Sequence, residues 1–233
     1  MGWDEVQVDA PDVTDMDTLS GLARMCSNAY IEGEYSHKNA SDWYDIGSNW
    51  NLSDSFGWTE DGIRGHVFAT ADNSSIVVAI KGTSAGGFAG GGGPTQIKDK
   101  INDNLLFSCC CARVDWSWST VCDCYQGGWK CGQSCVEDAL IDKSVYYPLV
   151  TDLYNNITTH YPNSTIWLTG HSLGGSLAAL LALTFGVPCV TFEPPGDLMP
   201  AQRLHLPLPP GRPASSSHGA ITHIYHTADP IPQ

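Results

Sequence analysis

Basic side chains are scarce in this chain. Its 233 residues hold 11 Lys and Arg against 25 Asp and Glu, a formal charge of −14. So acidic a surface repels the phosphate backbone of nucleic acid, and we expect no nucleic-acid partner. The sequence pI is about 4.6, so repulsion from an anionic bilayer fades in an acidic compartment. The chain also lacks an apolar run of membrane-spanning length and a signal-peptide core. The opening "MGWDEVQVDA" reads as a cut boundary, with any targeting or anchoring segment lying outside it. No internal repeat is visible. What remains is the composition of a globular protein, 42% hydrophobic and 10% aromatic, with enough chain for a single domain with a substantial core.

Cysteine is abundant, with nine residues, seven of them between Cys109 and Cys135. The pairs in "CDC" and "CGQSC" have the look of zinc ligands. Glycosylation sequons favour disulfides instead. Asn39, Asn51, Asn73, Asn156 and Asn163 all begin N-x-[ST]. Sequons together with many cysteines point to the secretory pathway, where disulfides persist. We therefore expect a disulfide-rich insertion at 109–135, no metal and no cofactor. Nine is odd, so one thiol is free or pairs outside this chain.

Residues 15–31 carry apolar positions at helical spacing. Residues 63–70 and 75–81 read as two strands joined by the turn "ADNS", a hairpin. Residues 86–94, "GGFAGGGGP", read as a loop. Residues 136–160 look helical, with Pro148 breaking or kinking the run. Then come a strand at 165–169, a helix at 173–185, a strand at 187–192, a Pro/Ser-rich loop at 205–218 and a last strand at 220–226. Buried strands alternating with helices predict an α/β fold with a mostly parallel sheet.

Gly170-His171-Ser172-Leu173-Gly174 matches G-x-S-x-G between an apolar strand and an apolar helix. The strand must reverse into the helix within about two residues, which strains the serine backbone. Side chains two positions either side would collide, so both are glycine. The helix then starts at the serine with its positive end toward a developing oxyanion. Ser172 is the candidate nucleophile. An oxyanion hole needs two N–H groups: Leu173 supplies one, and Thr83, after the strand "IVVAIK" and Gly82, is the candidate for the other.

"TIWLTGHSLGGSLAALLAL", "VVAIKGTS", "CVTFEPPG" and "HIYHTADPIPQ", in that order, resemble the class 3, or fungal-type, lipases of the α/β-hydrolase fold. The cysteine-rich insertion, the sequons and "GHSLGGSLAALLALTFGVPCVTFEPPGD" resemble more narrowly the fungal vacuolar lipases of autophagy, phospholipases that act on the membranes of autophagic bodies. The resemblance runs from about Leu19 to Gln233. It implies a Ser-Asp-His ester hydrolase working on phospholipid or glyceride membranes in a vacuolar or lysosomal lumen. It maps the triad acid onto Asp229, with Asp197 as runner-up.

The triad order places the histidine after the acid, and only Pro230, Ile231, Pro232 and Gln233 follow Asp229. His171 reads as a packed neighbour of the serine. A set of Ser172, Asp197 and His226 keeps the order but is the weaker choice. The expectation is that the catalytic histidine is not in this chain, and that a C-terminal segment or second chain supplies it, bridged by the odd cysteine. A lid is expected in the glycine-rich stretch 84–98. Two other functions compete: hydrolysis of triacylglycerols or soluble esters on the same fold, and lipid binding by a catalytically incomplete protein.

Overall fold

In the computed structural model, residues 6–32, 42–59, 62–83, 96–108, 121–128, 130–143, 146–208 and 220–230 are described. Helix α1 (Met16–Asn28) begins where the Asp15 side chain accepts the N–H groups of Asp17 and Thr18, satisfying donors that a helix start leaves open. Strands β1 (Trp50–Phe56), β2 (Gly65–Thr70) and β3 (Ser75–Ile80) form an antiparallel meander. The expected hairpin is its second half.

Helices α2 (Gln96–Phe107), α3 (Gln133–Lys143) and α4 (Tyr146–His160) lead to β4 (Thr165–His171), which lies parallel to β3. Helix α5 (Leu173–Phe185), β5 (Cys189–Phe192), α6 (Leu198–Arg203) and β6 (Ile221–Ile224) complete the chain. The six strands lie in sequence order, and β3 to β6 run parallel.

Strand β3 shows why its sequence is unbroken apolar. Val77 and Ala79 pack with Leu22 and Met25 of α1 on one face of the sheet. Ile76, Val78 and Ile80 pack with Leu177, Leu180 and Leu181 of α5 on the other. A strand covered on both faces has no side that must be polar. Helix α5 is buried along most of its length, from Leu173 to Ala182.

One expectation needs correction. The run 136–160 is two helices, and the break comes before Pro148. Pro148 is the third residue of α4, where a missing N–H costs nothing because first-turn donors have no helical partner. Of the lid candidate 84–98, residues 84–95 lie outside the described residues, and 96–98 are the start of α2.

In the cysteine-rich stretch, Cys124 is bonded to Cys135 and Cys131 is also disulfide-bonded. The sulfurs of Cys124 in "CDC" and of Cys131 and Cys135 in "CGQSC" are thus joined to sulfur. Residues 109–120 lie outside the described residues. Cys26 and Cys189 are buried thiols. Burial pushes the Cys26 thiol up to about 12.

Candidate active site

The strand registers align Ile80, Gly170, Thr191 and His223 in one row across β3 to β6. Thr83, Ser172 and Leu173 lie just past that row, and Asp229 follows the last strand, at the carboxyl ends of the parallel strands. In open α/β sheets this edge is where ligands bind.

Ser172 follows β4 and precedes α5 with φ 56° and ψ −131°, a left-handed conformation that a side chain disfavours. Its N–H donates to the Phe192 carbonyl at 3.1 Å, and its carbonyl accepts from Ser176 N–H at 3.1 Å. These bonds hold the strained turn from both sides. A Cβ on Gly170 would run into Gly174 and come within 2.6 Å of the Gly175 nitrogen, and one on Gly174 would strike the β3 carbonyl of Ile80. A side chain at either position would force this backbone apart.

Thr83 arrives by an equally close approach. A Cβ on Gly82 would collide with the His171 carbonyl and the Tyr30 hydroxyl, and would lie 3.2 Å from Ser172 Cβ. The Lys81–Thr83 segment therefore rests directly against the nucleophile. A buried ionic group fixes it. Thr83 Oγ1 donates to Asp103 Oδ2 at 2.6 Å, and Lys81 Nζ donates to the Gly82 carbonyl at 2.9 Å and lies 3.5 Å from Asp99. Tyr146 Oη donates to Asp99 Oδ1 at 2.7 Å.

Asp103 retains some exposed surface as a residue, but its carboxyl group lies inside this cluster. Desolvation, aided by Asp99, raises its pKa to about 7. Burial also lowers the Lys81 pKa, against the pull of Asp99. Sequence reasoning missed Asp99 and Asp103. Their only signal is charge on a helix that carries Leu105 and Leu106, both fully buried.

Leu173 is the first residue of α5, so its N–H is among the donors a helix leaves without an internal partner. Asp229 lies beyond β6 in a turn where its N–H donates to the His226 carbonyl at 3.0 Å. It is close enough to His171 to oppose the fall in that residue's pKa, which burial drives. Ser172, Leu173, Thr83 and Asp229 are thus brought to one edge.

Asp197 is not with them. It precedes α6 and lies 3.5 Å from His223 Nε2, whose Nδ1 meets Thr191 Oγ1 at 2.6 Å. His171 is the packed neighbour expected, with Nδ1 2.9 Å from Tyr30 Oη. Asn51, Asn73, Asn156 and Asn163 are all exposed. Asn39 lies outside the described residues.

Residues 111–233 match the family described as Lipase (class 3). The chain is 59% identical over 231 residues to a protein of Cryptococcus neoformans var. neoformans serotype D named "Putative lipase ATG15", covering 98% of this chain and 43% of that protein. It is 58% identical over 235 residues to a protein of the same name from Mycosarcoma maydis, covering 99% and 44%. The chain therefore spans less than half the length of the curated relatives it matches. The crystal structure of Lip2 lipase from Yarrowia lipolytica is similar, with a TM-score of 0.52 and 18% identity over 98% of this chain and 76% of that one. That likeness shows the α/β-hydrolase fold.

Proposed function

The chain belongs to the class 3 lipase family, and on that premise we propose that it is the catalytic region of a serine carboxylic-ester hydrolase acting on membrane lipids. The observation that carries the proposal is the strained Ser172 at the carboxyl edge of the sheet, with the Gly82–Thr83 turn against it, Leu173 opening the helix and Asp229 in the turn beyond β6.

Ser172 Oγ attacks the ester carbonyl while its proton passes to a histidine base oriented by Asp229. The N–H groups of Leu173 and Thr83 receive the oxyanion. The tetrahedral adduct collapses, the C–O bond breaks, and the alcohol or lysolipid leaves with the proton from the imidazolium. Water then attacks the acyl-serine, gives one proton to the imidazole, and the acid leaves as Ser172 regains its own.

The base comes from outside the described residues. His66 is held by Ser55 and the Ile31 carbonyl, His171 by Tyr30, and His223 by Thr191 and Asp197. His226 Nδ1 accepts the Ala228 N–H. His160 bonds the Asn156 carbonyl, and His205 faces Glu137. We assign the base to a histidine in a segment following Asp229, as the resemblance implies.

The substrate we propose is phospholipid in the membranes of autophagic bodies, met in the acidic lumen of a vacuole or lysosome after passage through the secretory pathway. Exposed sequon asparagines, the Cys124–Cys135 bond and the low pI support that route.

The test is release of fatty acid from phosphatidylcholine–phosphatidylserine vesicles at pH 5 by full-length protein. Ser172→Ala should abolish release, and a fluorophosphonate should label Ser172. Release by the Ser172→Ala protein at the wild-type rate refutes the assignment. Hydrolysis of soluble esters with none of the vesicles moves the substrate class to soluble esters.

A further inference from the structure

One carboxylate at the catalytic edge has no part in the chemistry above. Glu193 directly follows β5, next to the Phe192 carbonyl that binds Ser172 N–H. Like Ser172 it has a positive φ, 48°. Its own N–H donates to the Ile224 carbonyl at 2.9 Å, so its backbone is held at the β5–β6 junction.

Glu193 Oε1 accepts the His226 N–H at 2.5 Å. Oε2 is buried and has no hydrogen-bond partner among the described residues. A solvated surface glutamate shows neither feature. A carboxylate kept half out of water is retained against its desolvation cost.

The contact to His226 has a consequence for Asp229. His226 is the residue on which the next turn is built: its Nδ1 accepts the Ala228 N–H at 3.2 Å, and its carbonyl accepts the Asp229 N–H at 3.0 Å. An Nδ1 that accepts carries no proton, so the ring's N–H is on Nε2. The chain of contacts runs from the elbow through Phe192 and Glu193 to His226 and on to Asp229. Residues 225–228 of this stretch are exposed.

We propose that Glu193 is a positioning residue for the triad acid: its carboxylate pins His226, and the His226 side chain and carbonyl fold the 226–229 turn that presents Asp229. The inference rests on Asp229 being the acid. It gives His226 a structural task, that of an acceptor for the N–H two residues on, which an Asn side chain also performs in turns.

The test compares Glu193→Ala, Glu193→Gln, His226→Ala, His226→Asn and Asp229→Asn in full-length protein, each with kcat, KM and melting temperature. Glu193→Ala should lower kcat about tenfold to a hundredfold, the scale of a small misplacement of a catalytic group, with KM and melting temperature little changed. Glu193→Gln keeps the acceptor and should stay within about threefold of wild type. His226→Asn should likewise stay active where His226→Ala is impaired, and this pair decides the matter if Glu193→Ala does not fold.

Wild-type kcat in Glu193→Ala beside an inactive Asp229→Asn overturns the positioning role alone. An active Asp229→Asn overturns the acid assignment and the inference with it. A dead but folded His226→Asn shows that His226 takes part in the chemistry and also overturns the inference.

Discussion

Replacing Asp103 by Asn tests the electrostatics under the oxyanion loop through the pH dependence of stability. The Asp103 carboxyl has a pKa of about 7 in the fold, raised first by desolvation and then by Asp99, against about 3.9 in an unfolded chain. A carboxyl with a raised folded pKa binds its proton more tightly when folded. Its contribution is fully present below about pH 4 and is lost as pH rises through about 7, the reverse of an ordinary paired carboxylate. Integrating between these values gives about 2–3 kcal/mol at pH 5 and almost nothing at pH 7.5.

Asn keeps the shape and an acceptor for Thr83 Oγ1 but does not titrate. Urea unfolding of both proteins at pH 5 and 7.5 isolates the effect, because other titrating groups cancel in the double difference. Wild type should lose about 2 kcal/mol more than Asp103→Asn on going to pH 7.5, or roughly 4–8 °C in melting temperature. Equal losses in the two proteins would refute the reasoning. The direction suits an enzyme proposed to work in acid.

Reduction of the Cys124–Cys135 bond should lower stability by about 2–3 kcal/mol for a loop of this size, whereas EDTA in non-reducing buffer should leave the melting temperature unchanged. A loss with EDTA would restore the metal reading of the cysteines. Gly174→Ala drives a Cβ into the backbone of Ile80 and Lys81, and should cost about 1–3 kcal/mol as overpacking does, measured by the urea midpoint. A midpoint equal to wild type would show that the elbow has room which the close approach denies.

Legibility in the sequence followed the chemistry of each element. Helix α5 and its elbow were readable because a buried apolar helix between glycines has few alternatives, and its bounds, Leu173–Phe185, are those expected. Helix α2 was not readable. Asp99, Asn102 and Asn104 on it are buried, so its inward side holds polar groups for Lys81, Tyr146 and Ser108, and hydrophobic periodicity cannot register such a face. Strand β1 escaped for the opposite reason: among the described residues it pairs on one side only, and it buries none of its residues fully. Glu193 carried no local signal, since its partner His226 is 33 residues away.

The strain at Ser172 was also legible, and it can be weighed. At an ordinary helix-proximal position, Gly is less stable than Ala by about 0.5–1 kcal/mol, because glycine loses more freedom on folding. At φ 56° and ψ −131° the order should invert. Ala retains the Cβ that makes this conformation unfavourable, a cost of about 1–3 kcal/mol, whereas Gly adopts it freely. Subtracting glycine's entropic penalty leaves Ser172→Gly more stable than Ser172→Ala by roughly 1 kcal/mol. Both variants lack the nucleophile, so activity cannot bias the comparison. Urea unfolding of the two decides the sign. A Gly variant less stable than the Ala variant would mean that the elbow stores no strain, and that the serine is held there without cost to the fold.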